Sequence, residues 1–161
     1  MTKFINFDAV LFTDFDSASS NKIPRTVEEN ISRGRAAMRV VLKTKQDFDH
    51  AMYTRELGWI DFIWGETGVV RLNGKTKGGK GIVHIIEARQ RKNAMTALEV
   101  HALMYRIVTT IARAKPHEKN IVERNGERRL TIESDGLKVI LIKEILRNAW
   151  LLSGFENQTI V

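Results

Sequence analysis

Apolar residues follow two different rhythms along this chain, and each rhythm predicts a different element. Val100, Leu103, Met104, Ile107, Val108 and Ile111 repeat at the three- and four-residue spacing of one helical face. Thr96 followed by Glu99 gives this helix a capping box, and it ends near Ala114, ahead of Pro116. An earlier helix is predicted from Thr26, with Glu29 as its capping partner, through Ile31 and Ala36-Ala37-Met38 toward Leu42. A further helix is expected from Phe48 to Leu57, stopped by Gly58. From Trp59 to Trp64 the pattern alternates residue by residue, which is the signature of a strand.

Beyond Pro116 the same alternation appears in four short runs: 121–124, 127–133, 137–143 and 149–155. Asn125-Gly126 and Asp135-Gly136 separate the first three runs, and these dipeptides favour the positive backbone angles of tight hairpins. Helices first and a meander afterwards predict an α+β fold, with N-terminal helices packed on one face of a four-stranded antiparallel sheet. Residues 1–24 read as an extended arm leading into a loop, so residues 1–45 form an arm and helix, and 46–161 the main domain of one compact unit.

Charge adds a partner to this picture. The 161 residues carry 26 Lys and Arg against 19 Asp and Glu, a net charge of +7 with neutral histidines. Such a surface suits a polyanion, because each phosphate it neutralises releases condensed counterions. The absence of cysteine excludes a disulfide framework, a thiolate nucleophile and a cysteine-ligated zinc site. No stretch approaches the ~18 uninterrupted apolar residues of a membrane span, and the N-terminus lacks the pattern of a secretory signal. A soluble protein of the cytoplasm is the resulting expectation.

Between Gly65 and Gly81 six glycines are interspersed with Lys75, Lys77 and Lys80. Glycines at this density mark a bent loop or hairpin, where backbone amides and ammonium groups can cradle phosphates. The spacing is not that of a Walker loop. Four histidines, at positions 50, 84, 101 and 117, show no metal-ligand spacing, so neither a metal nor another cofactor is expected. His101 flanks an apolar stripe, and His50 and His117 lie in polar surroundings. His84 differs. Gly79-Lys80-Gly81-Ile82-Val83-His84-Ile85-Ile86-Glu87-Ala88-Arg89-Gln90-Arg91 places its imidazole where the basic loop meets a short helix, in a position to exchange a proton beside a phosphate.

Three blocks in order resemble the phage barnase/EndoU/colicin/RelE-like nuclease group: Gly58 to Gly65, Gly79 to Arg89, and Trp150-Leu151-Leu152-Ser153-Gly154-Phe155-Glu156. Members of that group occur as toxin modules of phage head-morphogenesis proteins. The resemblance spans roughly residues 50–157 and does not reach residues 1–45. It implies metal-free cleavage of RNA, in which a ribose 2′-hydroxyl attacks the adjacent phosphorus.

His84 matches the group's histidine, and Ser153 its Ser/Thr on the last strand. Arg89 falls where the group has a basic residue or a second histidine, a departure from a two-histidine mechanism. Arg128 and Lys138, on central strands, are candidates for phosphate charge. Lys143 is a weaker one, and Trp59 and Trp64 can stack on bases or fill the core. Lys75, Lys77, Lys80, Arg89 and Arg91 are expected to contact RNA. A toxin of this kind implies an immunity or antitoxin protein as partner. Two other readings remain open at this stage: a degenerate nuclease fold that holds RNA or protein without cleaving, and a phage structural or regulatory protein that touches packaged nucleic acid.

Overall fold

The computed structural model describes residues 22–70, 72, 76, 77, 79–134 and 136–157. The expected N-terminal arm up to residue 21, Lys75 and Asp135 lie outside these residues. Among them the elements run α1 (Val27–Thr44), β1 (Phe48–Thr54), β2 (Gly58–Phe62), β3 (Val69–Val70), β4 (Thr76–Lys77), α2 (Gly81–Asn93), α3 (Ala97–Arg113), a 3-10 turn (Glu118–Asn120), β5 (Ile121–Arg124), β6 (Glu127–Ser134), β7 (Leu137–Glu144) and β8 (Trp150–Asn157).

The capping residues act locally. Thr96 Oγ1 accepts from the Glu99 N–H while the Glu99 carboxylate accepts from the Thr96 N–H, closing the predicted box. At α1 only half of the pattern forms: Thr26 Oγ1 accepts from the Glu29 N–H, but the Glu29 carboxylate accepts from the Arg25 N–H instead, at 2.7 Å.

The α+β class holds, and the sheet differs from the expected one. It has six strands in the order β1-β2-β8-β7-β6-β5. It is also mixed, because β2 and β8 run parallel, with Ile60 opposite Trp150 and Phe62 opposite Leu152. β5, β6, β7 and β8 pair antiparallel with one another in sequence order. Asn125 and Gly126 both adopt positive φ, 52° and 80°, as a two-residue hairpin requires.

The extra strands come partly from residues 48–57, where a helix was expected and the chain instead forms β1 and a turn. The reason is a bulge. Phe48 pairs with Phe62 and Met52 with Ile60, so β1 carries two residues more than its partner over that interval. His50, with φ 56°, lies inside it. A strand that slips its register places apolar residues three and four apart, which is the spacing of a helix.

The bulge is anchored by side chains. Asp61, buried on β2, accepts from the His50 N–H at 2.7 Å and from Arg147 Nη2 at 2.9 Å. Arg33, buried on α1, donates through Nε and Nη2 to the His50 carbonyl. Its guanidinium lies 4.9 Å from the Trp59 ring centroid, and the His50 ring stacks on Trp59 at 4.5 Å.

One core cluster joins the three α-helices to alternate strand residues, including Ile60, Phe62, Leu130, Ile132, Leu137, Val139, Leu141 and Leu152. The odd-numbered side chains of β7 therefore face the helices and the even-numbered ones the outer face. This parity decides which candidate residues can meet.

Candidate active site

Two segments converge at one end of β2. The chain leaves Phe62, and the carbonyls of Ile63 and Trp64 accept from the N–H groups of Ile82 and Val83, both at 2.9 Å, so the first turn of α2 is tied to the strand. Between these points lies the predicted glycine-rich hairpin, closed by paired backbone bonds between Glu66 and Lys80 at 3.0 Å. The amides of Lys80, Ile82 and Val83 are thus engaged with carbonyls and do not form the expected phosphate cradle. Lys77 belongs to β4 by its backbone.

His84 follows immediately on α2 and is half-buried. Gly79 touches it: a Cβ built there would lie 2.6 Å from His84 Nδ1. That nitrogen is buried and has no hydrogen-bond partner. Burial pushes the imidazole below its ordinary pKa, Glu87 pulls it back up, and Lys92, Arg91 and Arg89 push it down further. The imidazole is therefore neutral at physiological pH and able to accept a proton.

Glu87, one helical turn on, shares the His84 face of α2 with Arg91. Its Oε1 accepts from Arg91 Nε at 2.6 Å, while Oε2 is buried without a hydrogen-bond partner. The i, i+3 spacing of His84 and Glu87 was readable in the sequence, and Glu87 is the neighbour that the sequence reasoning missed.

Ser153 reaches the same end of the sheet from the other side. Leu152 pairs with Leu141 and Gly154 with Ile140, which leaves Ser153 as the extra residue of a second bulge. It lies one residue beyond the Phe62–Leu152 pair, where Ile63 and Trp64 hold the start of α2. Helix α2 packs along β8, with the Arg89 guanidinium 5.5 Å from the Phe155 ring centroid.

Arg89 is itself buried, on the side of α2 that carries Ile82 and Ile85, and so turns away from the face of His84. Trp64 packs half-buried against the core cluster, as one of the two alternatives for it required.

The two strand cations divide between the faces. Lys138 is on the outer face, two residues along β7 from Ile140, the partner of Gly154, and its ammonium lies 3.8 Å from Glu133. Arg128 is opposite Lys143, on the side of the helices, and pairs with Glu123 at 3.6 Å. Five residues of β7 separate Lys143 from Lys138, about 17 Å of strand. Lys138 lies opposite Glu156, three residues along β8 from Ser153, and Arg128 cannot share a phosphate with Lys138. Lys80, more than half exposed, reaches Glu144 on the outer face at 3.9 Å. Among the described residues no three His, Asp or Glu side chains gather as metal ligands would, and no helix is long and apolar enough to cross a membrane.

Comparison with known proteins bears on this arrangement. The model of the phage-Barnase-EndoU-ColicinE5/D-RelE like nuclease1 family matches residues 51–160. The chain belongs to this family. Neither the curated proteins nor the solved structures give a match. The stretch assigned to the nuclease family begins within β1 and runs past β8, so it contains His84, Glu87, Lys138 and Ser153 and leaves α1 outside. The nuclease thus carries its candidate site within the family segment, while α1 contributes core residues such as Ala37, Met38 and Val41.

Proposed function

We propose that this nuclease is a metal-independent endoribonuclease that acts as a toxin on cellular RNA, tRNA included. The observation that carries the reading is His84: a neutral imidazole beside the hairpin, at the end of the sheet where Ser153 sits in a bulge.

His84 takes the proton of a ribose 2′-hydroxyl as the 2′-oxygen attacks the adjacent phosphorus. The bond from phosphorus to the 5′-oxygen breaks, leaving a 2′,3′-cyclic phosphate and a 5′-oxygen that takes its proton from water, while His84 returns the 2′-hydroxyl proton to solvent. Ser153 donates a hydrogen bond to a non-bridging oxygen, and Lys80, at the base of the hairpin beside His84, supplies positive charge as the phosphorane-like transition state forms. The net charge of +7 attracts the RNA. A cytoplasmic toxin of this charge is neutralised by an acidic immunity or antitoxin protein covering the same residues.

A second reading is favoured by Arg89, whose burial beside Phe155 leaves His84 without a second imidazole: the fold then holds RNA without cutting it. Incubating the purified protein with total RNA in excess chelator, beside His84→Ala, separates the two. Fragments ending in 2′,3′-cyclic phosphate that depend on His84 support the enzyme. Retention of intact RNA by both proteins supports the binder.

A further inference from the structure

A groove of about 530 Å³ opens on the helix side of the sheet, lined by strand residues Arg128, Lys143 and Trp150 and by Glu56, His117 and Glu118 from the connecting segments. It is distinct from the candidate active site: Trp150 lies three residues before Ser153 on β8, about 10 Å along the strand, and the groove is on the other face.

Its charges are unusual for a merely solvated surface. Arg128 and Lys143 are direct cross-strand partners, an arrangement in which like charges repel and which a bound anion relieves. Arg128 Nε is buried without a hydrogen-bond acceptor, and the carboxylate nearest to it, Glu123, is exposed and 3.6 Å away. Lys143 makes no ion pair among the described residues. His117 Nδ1 accepts from the Lys119 N–H at 3.2 Å, which leaves Nε2 as the ring's donor.

Three donors suit a phosphate, but Glu56 and Glu118 would repel a ligand that is anionic throughout. A nucleotide satisfies both sets, since its phosphate accepts hydrogen bonds and the exocyclic amino group of its base donates them to carboxylates. The volume falls in the range of small-ligand sites.

We propose that this groove is a second RNA subsite, which takes one amino-bearing nucleotide of a bound strand away from the bond to be cut. Its phosphate rests on Arg128, Lys143 and His117, and its base faces Glu56 and Glu118. The neighbouring Glu144 turns to the outer face and meets Lys80, so the end of β7 separates the subsite from the active-site lysine. This inference rests on the RNA reading of the nuclease.

The test uses the His84→Ala protein, so that binding is read without cleavage. Polycytidylate should bind more tightly than polyuridylate, which lacks the amino group. Lys143→Gln should reduce the slope of log affinity against log salt by about 0.7, one single-strand phosphate contact. The His117 imidazole resonances should shift on adding cytidine monophosphate, and this shift should weaken in Lys143→Gln. Should that variant unfold, Arg128→Gln takes its place in the salt series. An unchanged slope in a folded variant overturns the subsite while leaving the RNA reading intact, as does a His117 response to an acidic peptide but not to the nucleotide. Failure of the His84→Ala protein to bind either polymer overturns both.

Discussion

Gly79 and His84 are in contact across the base of the glycine-rich hairpin: a methyl group at Gly79 would come within 2.6 Å of His84 Nδ1 and 2.5 Å of the Gly68 nitrogen. Gly79 also has φ 83°, in the left-handed region that side chains disfavour. Gly79→Ala should therefore both destabilise the hairpin, by roughly 1–3 kcal/mol, and displace the imidazole. Thermal unfolding and the rate of RNA cleavage check this; a variant with wild-type activity and stability would remove the contact from the account of the site.

His84→Ala should lower cleavage by about 10²–10⁴-fold, the usual worth of a proton-transfer group. Ser153→Ala removes one neutral hydrogen bond, worth about 1 kcal/mol, and should slow the reaction only about fivefold. Single-turnover rates on a short RNA distinguish them. Equal losses would give Ser153 a larger part than a phosphate contact.

The acid limb of the rate profile should fall below the ordinary histidine pKa of 6.5, because burial depresses His84 and a general base works when neutral. Glu87→Gln removes the group that raises this pKa and should move the limb lower still. Stability has a matching dependence. In the unfolded chain His84 titrates near 6.5, above its folded value, so the unfolded state binds the proton first. His84 should thus cost stability as pH falls below 6.5, until the folded pKa is passed, and His84→Gln should flatten that part of the curve. Urea midpoints at neutral and mildly acidic pH, with an NMR titration of the imidazole, read both effects.

Excess EDTA should leave cleavage intact, since the proposed chemistry runs on His84, Ser153 and lysine charge. Loss of activity with chelator and its return with a divalent ion would replace this mechanism with a metal-assisted one.

Asp61→Ala should cost about 2–3 kcal/mol, because the His50 N–H and Arg147 both lose a charged acceptor in a partly buried setting. Arg147→Ala should cost less, since its side chain is 38% exposed while that of Asp61 is 6% exposed. Denaturant unfolding of the two variants gives the order, and a larger loss for Arg147→Ala would contradict it.

Much of this fold is written locally. Thr96 and Glu99, the stripe from Val100 to Ile111, and Asn125-Gly126 act over a few residues, so helix, cap and hairpin follow from spacing and backbone preference alone. Residues 48–57 were misleading because a bulge around His50 makes a strand imitate helical spacing, and that bulge is held by Asp61 and Arg33, which are distant in sequence. His84 and Ser153 stood out through the blocks around them. Glu87 had a legible spacing, whereas His117 had none, since its neighbours across the groove come from β6, β7 and the β1–β2 turn.

The sequence by itself determined the α+β class, the hairpins, the capped helix, the charge that favours a polyanion and the family to which the blocks belong. Only the tertiary structure decided the six-stranded mixed sheet, because strand order depends on which apolar faces bury one another over long separations. It also decided that Lys138 turns to the outer face while Arg128 turns to the helix side. Strand parity fixes a side chain's face relative to its neighbours, but only packing against the helices fixes which of the two faces they cover.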